Sequence, residues 1–416
     1  MKIRFVILFT ISLLLVGGCE SNSISRNTKE LTKKIEVKEA SNNYKIDESK
    51  NLNKEISKLG FEILNQNFKD ENIIISPLSI VSALGMTANG AEKDTLDEFE
   101  EIFSSDLDLL NNYICSYVKS LPSDENKISI ANSIWIKDKD NIKIEDEFLL
   151  DNKKYYNSKI FLAPFDESTK NDINEWVNNE TNGIIEKLID KLPNEDVVMY
   201  LINALSFDAE WRKIYENTDV RENIFVTNKG KEQIVEFMSS EESKYIENEN
   251  IKGFIKPYKN NDYAFVALLP NEEIEFNQFL KTIKGNEIIE LIEQAEKKDV
   301  FAKIPKFSVE YSKNLNESLK NIGLTKAFSE FEANFKRINN EGGEQFYISK
   351  VIHKAKIDVN EKGTKAGAAT SVEMKNESAM VEEEIKEVIL DRPFVYLIID
   401  TKYNLPLFIG NLVSVK

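Results

Sequence analysis

Two short apolar runs constrain this chain more than any other feature: YAFVALLP at residues 263–270 and RPFVYLIID at residues 392–400. Both are short and rich in β-branched and aromatic residues, the composition of strands buried on both faces. Strands of that kind need covering layers. A helical pattern stands ahead of them in INEWVNNETNGIIEKLI, where Ile173, Trp176, Val177, Ile184, Ile185 and Leu188 fall roughly on one face. Helical patterns come first and mixed strands and helices follow, an order that favours α+β over a doubly wound sheet. No Pro/Gly/Ser linker interrupts residues 51–416, and no long period repeats, so solenoids and propellers are excluded.

Composition narrows the chemistry. The chain has 416 residues, 41% hydrophobic and 30% charged, enough to bury a sizeable core. A formal charge of −17 argues against nucleic acid, whose phosphates need clustered Lys and Arg. The charge serves solubility first and a preference for basic partners second. The single histidine, His353, excludes a His-rich metal site and leaves at most one Ser-His-Asp arrangement. There is no G-x-S-x-G elbow, no P-loop and no dinucleotide glycine fingerprint. His353 therefore reads as a hydrogen-bonded core residue before it reads as a base. Neither an enzyme, a metal nor a cofactor is expected.

The start, MKIRFVILFTISLLLVGGCE, has two cations, an apolar run and then Gly17-Gly18-Cys19. The run is shorter than the ~20 residues a spanning helix needs and has the layout of a secretory signal peptide. Val-Gly-Gly-Cys resembles a bacterial lipobox, in which Cys19 is lipidated. An ordinary signal peptide and an uncleaved anchor are the other readings. Residues 1–18 are thus expected to be a signal peptide, and export with a lipid anchor on Cys19 follows. Residues 19–50 are mostly polar and read as a flexible tether. That leaves Cys115 as a lone thiol, a small apolar filler.

One stretch resists a simple reading. EKGTKAGAATSVEMKNESAM, residues 361–380, has the small polar composition of a surface loop but the alternation of a half-buried strand. On alternation alone, an inert loop and an insertable strand fit equally.

The motif NIIISPLSIVSALGMTANGAEKDTLDEF, residues 72–99, resembles the serpin family, and the resemblance continues in order through the chain. ANSIWIKD, the helix motif above, LINALSFDAEWRKIY, IPKFSVEYSKNLNESLKNIGLTKAF, YISKVIHKAKIDVNEKGTKAGAAT and RPFVYLIIDTKYNLPLFIGNL carry it to the C-terminus. It implies an α+β serpin fold over residues 51–416, with three β-sheets, eight to nine helices and an exposed reactive loop at about residues 361–386. It further implies a suicide-substrate inhibitor: a target serine protease, or as a variant a cysteine protease, attacks the loop, which then enters the main sheet. A non-inhibitory binding protein is the alternative.

Under that resemblance the alternation acquires a meaning. With Thr364 inward, Ala366, Ala368, Thr370, Val372 and Met374 share the buried face, and the charges of Lys365, Glu373 and Lys375 fall on the other. Gly363 frees the backbone at the turn, and Ala369 adds to the small-residue hinge. An uncharged hinge matters because a charge at Thr364 would incur a large desolvation cost. The family's sheet-opening cluster maps onto Ser76, Ser79, Asn203 and His353, with Trp211 where the loop first enters. Family spacing puts the reactive bond at Glu377–Ser378; Lys375–Asn376, Met374–Lys375 and Met380–Val381 stay open, because the stretch after the bond is long. The acidic and neutral character of residues 104–129 argues against a glycosaminoglycan cofactor, and a monomer is expected.

Overall fold

The structure is a computed structural model that describes residues 24–25, 27–37, 46, 50–121, 127–139, 142–191, 197–341, 346–364 and 385–416. Three sheets form its frame. The main sheet runs in the order β1 (Lys29–Glu30), β4 (Lys159–Ala163), β3 (Lys127–Lys137), β5 (Met199–Glu210), β14 (Gly363–Thr364), β13 (Lys350–Val359), β12 (Phe307–Asn314). The second has β2 (Ile73–Ile75), β17 (Leu405–Leu412), β16 (Phe394–Asp400), β10 (Tyr263–Pro270), β9 (Ile251–Pro257) and β8 (Tyr245–Glu247). The third has β15 (Lys386–Ile389), β11 (Val300–Pro305), β7 (Glu232–Glu242) and β6 (Val220–Val226).

Nine α-helices lie among the described residues: α1 (Lys50–Asn67), α2 (Pro77–Ala88), α3 (Asp94–Phe103), α4 (Leu107–Ser120), α5 (Asp146–Tyr156), α6 (Glu167–Glu180), α7 (Phe276–Thr282), α8 (Gly285–Glu293) and α9 (Asn316–Ile322). The α+β expectation holds. The two apolar runs are neighbours, since β10 and β16 pair antiparallel and every residue of each strand is buried. Helix α2 is buried all round, which is why its sequence shows no polar face. It packs against β3, β5 and β17, so it bridges the main and second sheets.

The main sheet is buried on two sides over part of its area. Ile134 and Ile136 of β3 face the larger core, whereas Ala131 and Trp135 face a second cluster closed by Trp176 of α6. Strand alternation explains this split. Cys115 is a buried free thiol whose Sγ lies 3.6 Å from the carbonyl oxygen of Lys154.

The tether expectation needs correction over residues 24–25 and 27–37. There the chain adds β1 to the edge of the sheet, with Lys29 opposite Leu162 and Glu30 opposite Phe161. Thr28 and Thr32 are buried, and Ile24 packs against the cluster under α6. The segment anchors itself with threonines and scattered aliphatics, and a two-residue strand is too short to display a period.

Candidate functional site at the split of the main sheet

Strands β5 and β13 are parallel neighbours along the lower half of the sheet, in register from Tyr200–Lys350 to Leu205–Ala355. Above that they part, and Gly363–Thr364 lies between them. Thr364 pairs with Ala209 on one side and Val359 on the other, while Gly363 pairs with Glu210. A tight turn brings the chain back, with reciprocal backbone bonds between Asn360 and Gly363 at 3.0 and 3.3 Å. Only glycine fits there: φ is +154° and a Cβ would meet the Ala209 carbonyl oxygen at 2.1 Å.

Thr364 is 1% exposed, and its Oγ1 is hydrogen-bonded to the Tyr258 hydroxyl at 2.6 Å. Burial raises the Tyr258 phenol's pKa, so this contact stays neutral. Trp211 stacks on Tyr258 with centroids 4.4 Å apart. Its Nε1–H donates to the Asn360 carbonyl at 2.8 Å, and its backbone N–H donates to that of Lys362 at 2.8 Å. The indole thus holds both arms of the turn that leads to Thr364. Lys306 bridges Glu361 and Glu236 on the outer side of the same turn.

Beneath Trp211 lies a buried ion pair. Lys256 Nζ is 2.8 Å from Glu242 Oε1, with the two side chains 2% and 8% exposed. The ammonium lies over the rings of Tyr215 and Trp211, 4.4 and 5.3 Å from their centroids. Ser240 Oγ donates to Glu242 at 2.7 Å, and Tyr215 lies within 3.2 Å of Ser240. Burial lowers the Lys256 pKa, and the carboxylate beside it works against that.

Lower down, three strands each place one polar residue on the core face at one level. Asn132 of β3 is opposite Asn203 of β5, which is opposite His353 of β13. The backbone N–H of Ser76 donates to His353 Nε2 at 3.3 Å, which assigns the ring proton to Nδ1. Nδ1–H then donates to Asn203 Oδ1 at 2.6 Å. The Asn203 amide donates to Ser79 Oγ at 2.5 Å and to Asn132 Oδ1 at 2.8 Å. Ser76 caps α2 by accepting from the Ser79 N–H. Burial pushes the His353 pKa down to about 3, so the ring is neutral. At 0% exposure, the ring has no open path to a substrate.

The structure therefore brings Ser76, Ser79, Asn203 and His353 into one network and puts Gly363, Thr364 and Trp211 at the split above it. Ala366, Ala368, Ala369, Thr370, Glu377, Ser378, the neighbouring candidate bonds and Cys19 lie outside the described residues. Sequence reasoning missed Asn132, Tyr258 and the Lys256–Glu242 pair. Asn132 had a signal, because it interrupts an apolar alternation of Ile130, Ile134 and Ile136. The ion pair had none, since Glu242 and Lys256 come from different strands.

Comparisons with known proteins agree with this geometry. The family model described as serpin (serine protease inhibitor) matches residues 53–415. An uncharacterized serpin-like protein of Methanosarcina mazei is 28% identical over 432 residues, covering 98% of this chain and 97% of the relative. The thermophilic serpin tengpin, solved in its native state, superposes with a TM-score of 0.87 at 44% identity, covering 93% of this chain and 100% of that one. Tengpin in its latent state superposes with a TM-score of 0.76 at 43% identity, covering 88% and 98%.

Proposed function

The chain belongs to the serpin family, and from that premise we propose that it inhibits proteases as a suicide substrate. The observation that carries this reading is the split between β5 and β13, already entered by Gly363 and Thr364. A target serine attacks the carbonyl of the reactive bond, placed at Glu377–Ser378. The ester to the enzyme forms as the peptide bond breaks, and the new amine leaves on Ser378. Residues 365–374 then continue the strand that Thr364 begins, with Ala366, Ala368, Thr370, Val372 and Met374 turned inward. Insertion carries the tethered protease along the sheet before the ester can be hydrolysed.

Three features support this. Every inward position of that stretch is uncharged, so the new strand buries no unpaired ion. The seam to be opened is bridged at its middle by the Asn203–His353 bond, between neutral groups that can exchange partners without moving charge. The higher likeness to tengpin in its native than in its latent state fits a sheet not yet expanded. The partner is a serine protease, glutamyl-specific if the bond is Glu377–Ser378. The chain is exported and held at a membrane by lipid on Cys19.

The test is a denaturing gel of a soluble form mixed with glutamyl-, trypsin-, chymotrypsin- and subtilisin-like proteases, with mass determination of the released C-terminal peptide. A covalent band with one protease and a peptide starting at Ser378 is expected. Cleavage by every protease without a covalent band would overturn the inhibitor and favour a non-inhibitory binding protein.

A further inference from the structure

The docked N-terminal segment fixes where a lipid anchor can sit. Asp172 of α6 is buried, and its carboxylate accepts from the Ser25 N–H at 2.9 Å, the Ser25 hydroxyl at 2.7 Å and the Thr28 hydroxyl at 2.6 Å. Leu31 N–H then donates to the Ile160 carbonyl at 2.8 Å. The segment is therefore bonded to a helix and to a sheet edge at once.

Its level in the sheet can be read from the register. Lys29 lies opposite Leu162, Leu162 opposite Ile136, and Ile136 opposite Met199, the first residue of β5. Gly363 lies opposite Glu210, the last residue of β5. At ~3.3 Å per residue the two levels are about 36 Å apart along the strand. The N-terminal segment thus enters at the end of the sheet remote from the reactive loop's first residues.

We propose that this lower pole faces the lipid surface and that the reactive loop is presented away from it; the inference rests on lipidation of Cys19. Chain length carries the argument. Ile24 is five chain steps on from Cys19, which allows a reach of at most about 18 Å. Were the whole of residues 19–50 free, the same limit would be roughly 110 Å, and the body could take any orientation. With residues 24–25 and 27–37 seated, the anchor holds the α6 and β4 edge close to the bilayer. The inhibitor then intercepts proteases arriving from outside the surface that carries it.

The experiment uses the full chain, expressed with its own leader in a bacterium that lipidates exported proteins, then reconstituted in phosphatidylcholine vesicles bearing nickel-chelating headgroups. A fluorophore is placed at Glu167→Cys on the lower pole or at Lys213→Cys beside Trp211, each in a Cys115→Ala background. Quenching by nickel should remove most of the emission at position 167 and little at position 213. Adding Asp172→Ala should erase that difference while vesicle binding persists. Equal quenching at both positions, with lipid found on Cys19 by mass spectrometry, would overturn the orientation. An unchanged difference in the Asp172→Ala protein would overturn the role of the docked segment. An unmodified Cys19 with protein left in the supernatant would instead remove the premise, and it is distinguishable because no vesicle signal arises.

Discussion

The upper and lower halves of the β5–β13 seam hold the same two strands by different physics. Above Leu205 the strands are apart, and the top of the gap holds Gly363 and Thr364 against a stack of Tyr258 on Trp211. Below it they bond directly to each other, with Asn203 and His353 joined across the seam. The upper half is specific, since it needs a glycine and a small uncharged residue. The lower half is joined across the seam by backbone pairing and a bond between neutral polar groups, both of which a third strand could replace on the proposed reading. On the proposed inhibitory reading, the difference places the resistance to insertion in the lower half and the admission test in the upper one.

The largest expected effect comes from failing that admission test. Thr364→Arg puts a cation against the neutral Tyr258 hydroxyl in a buried site, a desolvation penalty of several kcal/mol. Trapping of the target protease should be abolished while loop cleavage continues, read as the ratio of covalent band to cleaved inhibitor. Next comes Lys256→Met, which strands the buried Glu242 charge and should destabilise the protein by about 3–5 kcal/mol in denaturant unfolding. The double change Lys256→Met with Glu242→Leu should recover most of that loss, because an apolar pair replaces the ionic one.

The lower half predicts a pH dependence. His353 has a folded pKa of about 3, below the ~6.5 of an exposed histidine, so below pH 6.5 the unfolded chain binds a proton the native one does not. Stability from this group is complete above that range and falls with decreasing pH, by about 1 kcal/mol per unit between pH 6 and 5. His353→Gln should remove that slope in unfolding curves. The smallest effect is expected at the edge of the sheet. Asp172→Ala should release the segment that Ser25 and Thr28 hold to α6, raise hydrogen exchange in it and lower stability by about 1 kcal/mol.

Much of this architecture is legible in the amino-acid sequence. The buried strands at residues 263–270 and 392–400 are readable because both faces are apolar. The polar level of the main sheet is readable in part, since Asn203 and His353 interrupt apolar runs on their strands. Asn132 is the same kind of interruption, but Ser129 and Ser133 on the other face of its strand are polar too and mask it. The Lys256–Glu242 pair is not readable, because opposite charges on β9 and β7 look like two solvated residues until the sheets are packed. The seated N-terminal segment is hidden for another reason. Its contacts are backbone bonds and hydroxyls to one carboxylate, which leave no hydrophobic period.

The central claim is that β5 and β13 must separate for inhibition. Ile202 and Ile352 are register partners across that seam, and neighbouring strands lie ~4.8 Å apart, within the Cα range a disulfide tolerates. Replacing both with cysteine, in a soluble form with Cys115→Ala, allows the seam to be locked and unlocked by redox. The oxidised protein should be cleaved by the target protease without forming a covalent complex, and reduction should restore the complex. Equal trapping by the oxidised and reduced forms, with the disulfide verified by mass, would contradict the account.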